Sequence, residues 1–282
     1  MTLRWYPIHT HLLPAGLAGT KLVGAVLCLP PAGAIADIEA GMAQWPGKEQ
    51  MAFCPLFSLE QETDLGNLGA LPRLRSLGLV SLQLLRERKN SMYFDLARGL
   101  TDSGTALLRR MADLDMLLDL SHLHGPVLTH VLNAAPGRRM VSHVVCQEVF
   151  PWSLTRRANA MDDAELAACD AELYGIPFVD DLVSARPSLT RAERQAGVGD
   201  VADHILHLAR VVGPERVALG PDYFDYDTLA GAGIEVGSAG ELDQVEGLAR
   251  LWQALRDRGL NEGEVEGVFW RNASRVLPPE AA

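Results

Sequence analysis

The feature that most constrains the fold of this chain is a series of eight short apolar runs separated by longer segments. Each run is hydrophobic at nearly every position, which is typical of strands buried on both faces of a parallel sheet. The eight predicted strands are residues 3–9, 22–29, 51–59, 78–85, 116–121, 139–145, 176–179 and 217–220. The pattern therefore predicts an α/β protein built around a parallel sheet.

Amphipathic segments between these runs predict the helices. Thr101 is a favourable N-cap for a helix over residues 102–114, and further helices are predicted over residues 201–212, 242–255 and 262–276. Eight strands, each followed by a helix or a crossover, predict a single (β/α)8 TIM-type barrel over residues 1–282. An open doubly wound sheet is the alternative, which the strand count and the length of 282 residues disfavour.

Composition and charge narrow the choice of partner. With 25 Lys and Arg against 36 Asp and Glu, the net charge is −11, and no dense basic run is present, so nucleic-acid binding is not expected. No apolar run approaches the roughly 20 residues of a membrane span, and His9 and His11 interrupt the segment where a signal peptide would be apolar. Neither a membrane partner nor a signal peptide is predicted.

The cysteine pattern indicates the compartment. The four cysteines lie far apart and form no C-x-x-C pair, which favours free thiols over a disulfide framework or a zinc knuckle. They are Cys28, Cys54, Cys146 and Cys169. We therefore expect a cytoplasmic protein.

Titratable side chains cluster at the predicted strand ends, where barrels of this type carry their catalytic groups. These side chains are His9, His11, Glu60, His122, His143 and Asp222. Imidazoles together with carboxylates suit zinc, and a carboxylate can bridge a second ion about 3.5–4 Å away. Each residue alone has a structural alternative, such as a buried histidine or a charged loop. Their joint occurrence indicates a metal site.

Several motifs carry a resemblance to a known family. Residues 119–122 read D-L-S-H after a predicted helix, and residues 141–143 read V-S-H in the next predicted strand. Further matches are R-R-A-N at 156–159, V-A-D-H-I at 201–205, G-P-D-Y-F-D at 220–225 and N-A-S-R-V at 272–276. Together these motifs resemble those of the membrane (renal) dipeptidases, zinc peptidases of the amidohydrolase-like barrel group.

This resemblance implies a metal-dependent hydrolase that cleaves the amide bond of a dipeptide or dipeptide-like substrate with metal-activated water. It implies about two zinc ions per chain. The implied ligands are His9 for one ion, Glu60 as the bridge, and His122 and His143 for the second ion. The family has an aspartate where this chain has His11, which can still ligate.

The resemblance also assigns roles around the metals. Asp222 takes the acidic position that manages the reacting proton. Arg157, or its neighbour Arg156, would hold the substrate carboxylate with a planar bidentate donor, the alternative being a solvated surface turn. Arg86 stands at or near a substrate-contacting histidine of the family, and its alternative is an outward turn toward Glu87.

These departures leave other functions open. One alternative is an amidohydrolase-type enzyme acting on a non-peptide amide or a biosynthetic intermediate. Another is a non-catalytic barrel that binds a ligand or a partner protein. A homodimer is also left open.

Overall fold

The computed structural model describes residues 2–29, 35–45, 55–59, 68–85, 91–149, 160–183, 196–231, 233 and 237–277. Its centre is a sheet of seven parallel strands that neighbour one another in chain order. The strands are β1 (Val26–Leu29), β2 (Leu56–Leu59), β3 (Leu79–Gln83), β4 (Leu117–Asp119), β5 (Arg139–Val141), β6 (Leu173–Ile176) and β7 (Val217–Leu219).

Residues 7–10, the closing segment, join the two edges of this sheet. Pro7 forms a parallel bridge with Leu219 of β7, and Thr10 forms one with Leu27 of β1. The Ile8 amide donates to the Leu219 carbonyl at 2.8 Å, and β1 amides donate back to the closing segment at 2.8 and 3.0 Å. The sheet is thereby closed, and the predicted TIM-type barrel is confirmed. The assignment of the whole chain to one domain stays a prediction.

Helices and short pairings surround the barrel. The helices are α1 (Ile35–Gln44), α2 (Leu71–Ser76), α3 (Asp102–Asp113), α4 (Gly125–Ala134), α5 (Asp163–Cys169), α6 (Asp180–Val183), α7 (Val198–Val212), α8 (Tyr226–Gly231), α9 (Val245–Asp257), α10 (Glu262–Glu266) and α11 (Asn272–Val276). Two-residue strands pair Arg4–Trp5 with Lys21–Leu22, Phe94–Asp95 with Gly99–Leu100, and Val145–Cys146 with Ala160–Met161.

The predicted helices are confirmed with shifted ends. The Thr101 hydroxyl caps α3 by accepting from the Gly104 amide at 3.0 Å. α7 begins three residues before the predicted start. α9 begins three residues after its own predicted start, because a 3-10 turn over Ala239–Glu241 precedes the helix. The last helix runs from α10 to α11 through a π-helical turn, Gly267–Arg271. Among the described residues no helix has the length and apolar character that crossing a bilayer requires.

The first predicted strand, residues 3–9, forms only a two-residue strand, Arg4–Trp5, and an isolated bridge at Pro7, and the seventh is wrong in register. The seventh predicted strand covered residues 176–179, whereas β6 is Leu173–Ile176. Gly175, a poor strand former, interrupts the apolar run in the sequence. The barrel needs glycine there, because a Cβ at Gly175 would overlap the Ser142 carbonyl oxygen. Phe178 lies past the strand, where its amide donates to the Pro221 carbonyl at 2.9 Å.

The barrel interior changes character along the strands. One layer is apolar, and all seven strands, Ile8 of the closing segment and the preceding Tyr6 contribute to it. Its members from these elements are Tyr6, Ile8, Val26, Leu56, Val80, Leu117, Met140, Leu173 and Ala218, and Ala273, Val276 and Leu277 of the C-terminal segment pack against them. Side chains two residues further along a strand point to the same side. For six of the strands these next residues, which lie in the strand or directly after it, are Cys28, Ser58, Asp119, Ser142, Gly175 and Gly220. The interior therefore becomes polar or open toward the carboxyl ends.

Candidate metal centre

The predicted site residues that the structure describes meet above this polar layer. Nitrogen and oxygen atoms of His9, His143 and Asp222 lie within 4.8 Å of one another. Asp222 Oδ1 is 3.3 Å from His9 Nε2 and 3.3 Å from His11 Nε2. His122 Nε2 is 2.9 Å from His143 Nε2. One cluster thus contains all four predicted histidines and Asp222.

Backbone strain accompanies two of these side chains. His122 has φ of 66° and Asp222 has φ of 56°, the left-handed region that residues other than glycine rarely adopt. Such a conformation costs about 1–3 kcal/mol and persists only where the surrounding structure enforces it. For Asp222 part of that enforcement is visible, since its amide donates to the His9 carbonyl at 3.0 Å. The fold therefore holds both residues at the strand ends against local preference.

A buried carboxylate orients the histidines through a serine. Asp119 accepts hydrogen bonds from the amide and hydroxyl of Ser121 and from the amide and hydroxyl of Ser142. The Ser142 hydroxyl also lies 3.1 Å from His9 Nδ1 and 2.9 Å from His143 Nδ1. Because that hydroxyl donates its one hydrogen to Asp119, it can only accept from the two imidazoles.

This arrangement sets the histidine tautomers. If both Nδ1 atoms donate to Ser142, the Nε2 atoms of His9 and His143 carry lone pairs that face the cluster. Outer partners of this kind commonly fix the orientation of metal-binding histidines. The sequence analysis missed Asp119 and Ser142, although both stand two residues beyond an inward-facing strand residue.

The cluster also stabilises the ionised form of Asp222 and the protonated form of His9. Burial alone would raise the pKa of the Asp222 carboxyl, but His143, His11 and His9 outweigh it and hold that pKa below its usual range. Burial lowers the pKa of His9, yet Cys28 and Asp222 raise it well above its usual value. Negative charge on Asp222 is thus stabilised by groups that can instead share a cation.

The donor set fits a metal ion. Asp222 Oδ1 is buried and makes no hydrogen bond to any described residue, although two imidazole nitrogens stand 3.3 Å away. Imidazole nitrogens and carboxylate oxygens are the ligands that zinc and similar divalent ions prefer. A cation among these atoms would satisfy the orphaned oxygen and the Nε2 lone pairs together.

Beside the cluster lies a cavity of about 470 Å³, open on the same side of the barrel. It is lined by His11, Leu12, Leu13, Cys28, Gly41, Gln44 and Trp45. The Trp45 ring packs edge-on against Phe57, with centroids 6.4 Å apart. The cavity is large enough to receive a small organic molecule next to the histidines.

Other predicted residues fall outside the cluster or outside the description. Glu60, Arg86 and Arg157 are not among the described residues, so their roles stay predictions. His204, the histidine of the V-A-D-H-I motif, has a structural role in α7, because its Nδ1 accepts from the Cys146 amide at 3.1 Å.

Comparison with known proteins identifies the family. The model of the membrane dipeptidase family, peptidase family M19, matches residues 40–282. The chain belongs to the membrane dipeptidase family. Curated relatives of this family member include dipeptidase aclJ of Aspergillus oryzae, 29% identical over 259 residues that cover 88% of this chain and 56% of the relative. Dipeptidase verJ of Clonostachys rogersoniana is 26% identical, with coverage of 74% and 50%. The chain spans about half the length of these relatives.

Solved structures agree on the fold of this membrane dipeptidase family member. The M19 metallopeptidase called dipeptidase AC superposes with a TM-score of 0.73, at 18% identity, covering 100% of this chain and 99% of the other. A metallopeptidase from Rhodobacter sphaeroides, bound to a phosphinate mimic of the dipeptide L-Ala-D-Ala, gives 0.72 at 18% identity, with coverage of 98% and 99%. At these identities the likeness establishes the barrel alone.

Proposed function

We propose that this family member is a metal-dependent hydrolase that cleaves the amide bond of a dipeptide or a dipeptide-like substrate. The observation that carries the proposal is the convergence of His9, His11 and His143 on Asp222, whose buried Oδ1 has no hydrogen bond within the described chain, with His122 in contact with His143. The names of the relatives, dipeptidases and M19 metallopeptidases, support the same class of reaction.

The proposed ligands follow the geometry of the cluster. His9 and His11 would hold one ion, since both stand 3.3 Å from Asp222 Oδ1. His122 and His143 would hold a second ion, and Glu60 would bridge the two. We propose zinc in both positions, because imidazole and carboxylate ligands suit it. When bound, the metals supply Lewis acidity that activates water and polarises the amide carbonyl.

The chain's own residues would supply orientation and proton transfer. Ser142, held by Asp119, keeps the Nε2 atoms of His9 and His143 turned toward the cluster. The Asp222 carboxylate would take a proton from the attacking water and return it to the leaving amine. A substrate side chain would occupy the cavity lined by Trp45.

Substrate recognition and location complete the proposal. Arg157 would bind the terminal carboxylate of the substrate, and Arg86 would restrict which substrates are accepted. A cytoplasmic location is supported by the unpaired state of the three described cysteines, Cys28, Cys146 and Cys169.

The test combines metal analysis with a matched pair of variants. His143→Ala should lose metal and dipeptide hydrolysis, whereas His204→Ala should keep both, because His204 is also buried but its ring nitrogens contact the backbone of Cys146 and Val183. Chelation should abolish hydrolysis, and added zinc should restore it. A metal-loaded protein that cleaves no member of a broad panel of L,L and L,D dipeptides would overturn the proposed substrate class. Metal loss in His204→Ala alone would overturn the site.

A further inference from the structure

We propose that Cys28 is a metal ligand, which places a thiolate beside His9 and His11 at the first of the two ions. This inference rests on the proposed metal centre and adds a ligand that the sequence motifs do not include.

The position of Cys28 makes ligation geometrically direct. Its Sγ lies 3.5 Å from His9 Nε2, the nitrogen that carries the lone pair when Nδ1 donates to Ser142, and 3.1 Å from Nδ1 itself. Candidate ligand atoms of Cys28, His9 and His11 all fall within 4.8 Å of one another. Cys28 is 1% exposed, so its thiol faces the cluster rather than solvent.

The backbone fixes the thiol relative to the histidines. The Cys28 amide donates to the Thr10 carbonyl at 2.8 Å, and Thr10 is the residue between His9 and His11. Strand pairing between the closing segment and β1 therefore sets the distance from sulfur to imidazole. The Ser58 hydroxyl, 3.1 Å from Sγ, lies on the neighbouring strand β2, across β1 from the closing segment.

An independent observation points to a cation at the same place. Asp222 Oδ1 is buried, has no hydrogen bond to a described residue, and lies 3.3 Å from both His9 and His11. The carboxylate approaches the two imidazoles from β7, while Cys28 approaches His9 from β1. Two potential anions thus approach one histidine pair from the two strands that border the closing segment.

Charge and chemical softness favour the thiolate. Two neutral imidazoles bring no negative charge to a divalent cation, whereas a thiolate and a carboxylate together balance it. Zinc binds cysteine sulfur, histidine nitrogen and aspartate oxygen in tetrahedral sites, with Zn–S near 2.3 Å. On binding, the thiol loses its proton to solvent, so no redox step is involved. A soft sulfur donor also selects zinc, cobalt or cadmium over magnesium or manganese at this position.

Optical spectroscopy of cobalt-loaded protein tests the assignment without a substrate. Full-length protein is stripped of metal and titrated with Co²⁺, and a sulfur-to-cobalt charge-transfer band is expected in the near ultraviolet. Cys28→Ser should lose that band while circular dichroism shows the native fold. Cys146→Ser and Cys169→Ser, which remove other buried thiols, should keep it. Cys28→Ser should also weaken zinc binding by at least about tenfold, the lower end of what losing even an outer partner costs.

A measurement on the unmodified protein guards against a variant that fails to fold. X-ray absorption at the zinc edge should require a sulfur shell near 2.3 Å. The protein could instead bind cobalt with visible bands but no charge-transfer band, and show a zinc shell of nitrogen and oxygen alone. That result would reject Cys28 as a ligand and leave the proposed metal centre intact. Loss of the band in Cys54→Ser instead of Cys28→Ser would also reject it. Absence of any metal binding would reject both proposals.

Discussion

Replacing Asp119 with alanine should destabilise the barrel and loosen the metal centre together. Asp119 is 3% exposed, and its Oδ1 accepts from the backbone amides of Ser121 and Ser142, each at 3.0 Å. Alanine leaves these two amides buried without that acceptor, and an orphaned buried donor costs about 1–3 kcal/mol. The two serine hydroxyls can rotate toward other acceptors, so we count the amides alone. The expected loss in free energy of unfolding is about 2–6 kcal/mol.

Asp119→Asn separates stability from metal binding. Its side-chain oxygen can still accept from both amides, so we expect most of the stability to remain. Its NH2 group would face the Ser142 hydroxyl, which must then accept from it and can no longer present the same acceptor to His9 and His143. Metal affinity should therefore fall by about 10–100-fold, the scale for lost outer partners, in a protein that still folds.

The assay is urea unfolding followed by tryptophan fluorescence, with zinc content measured on the same samples. Both variants are compared with the wild type after metal removal, so that metal binding does not contribute to the unfolding free energy. The reasoning fails if Asp119→Ala is no less stable than Asp119→Asn. It also fails if Asp119→Asn binds zinc as tightly as the wild type.

Three further predictions concern activity and packing. Asp222→Asn should lower kcat by about 10²-fold or more in a folded, metal-loaded protein. Asp225→Asn, at an exposed site, should leave kcat unchanged, and equal rates for the two variants would contradict the proton-transfer role. Gly220→Ala should lower the urea midpoint, because the added Cβ overlaps a backbone carbonyl, whereas Gly231→Ala has open space and should not; matching midpoints would refute the packing argument. Arg86→His should widen the range of dipeptides cleaved, and an unchanged substrate profile would place Arg86 outside the pocket.

The strands could be predicted because burial on both faces leaves a continuous apolar run in the sequence. The exception, β6, shows where that rule stops. Gly175 is required by the close approach of the Ser142 carbonyl, a contact between neighbouring strands that no local pattern contains. The apolar residues around Phe178 are buried in the loop beyond the strand, so hydrophobicity alone shifted the prediction toward them.

The site could be predicted in part for a related reason. Histidines and Asp222 stand at strand ends, and parallel strands in a barrel bring those ends together, so position along the chain was sufficient. Ser142 and Cys28 were missed because their significance depends on partners far away in the sequence. The Ser142 hydroxyl meets a ring of His9, 133 residues earlier. That contact exists only in the closed barrel. In the sequence, Ser142 and Cys28 look like ordinary small side chains, and only the barrel places them in its polar interior layer.

The closing segment has a consequence for the order of events during synthesis. Residues 7–10 are made early, but their partner on one side, Leu219 of β7, is made about 210 residues later. At roughly 5–20 residues per second, that strand has no second neighbour for about 10–40 s. Pairing with β1 can form early, whereas the contact with β7 has a large loop-closure cost and must follow it. His9, which later contacts Asp222, therefore lies on a strand edge without a pairing partner for most of the chain's synthesis.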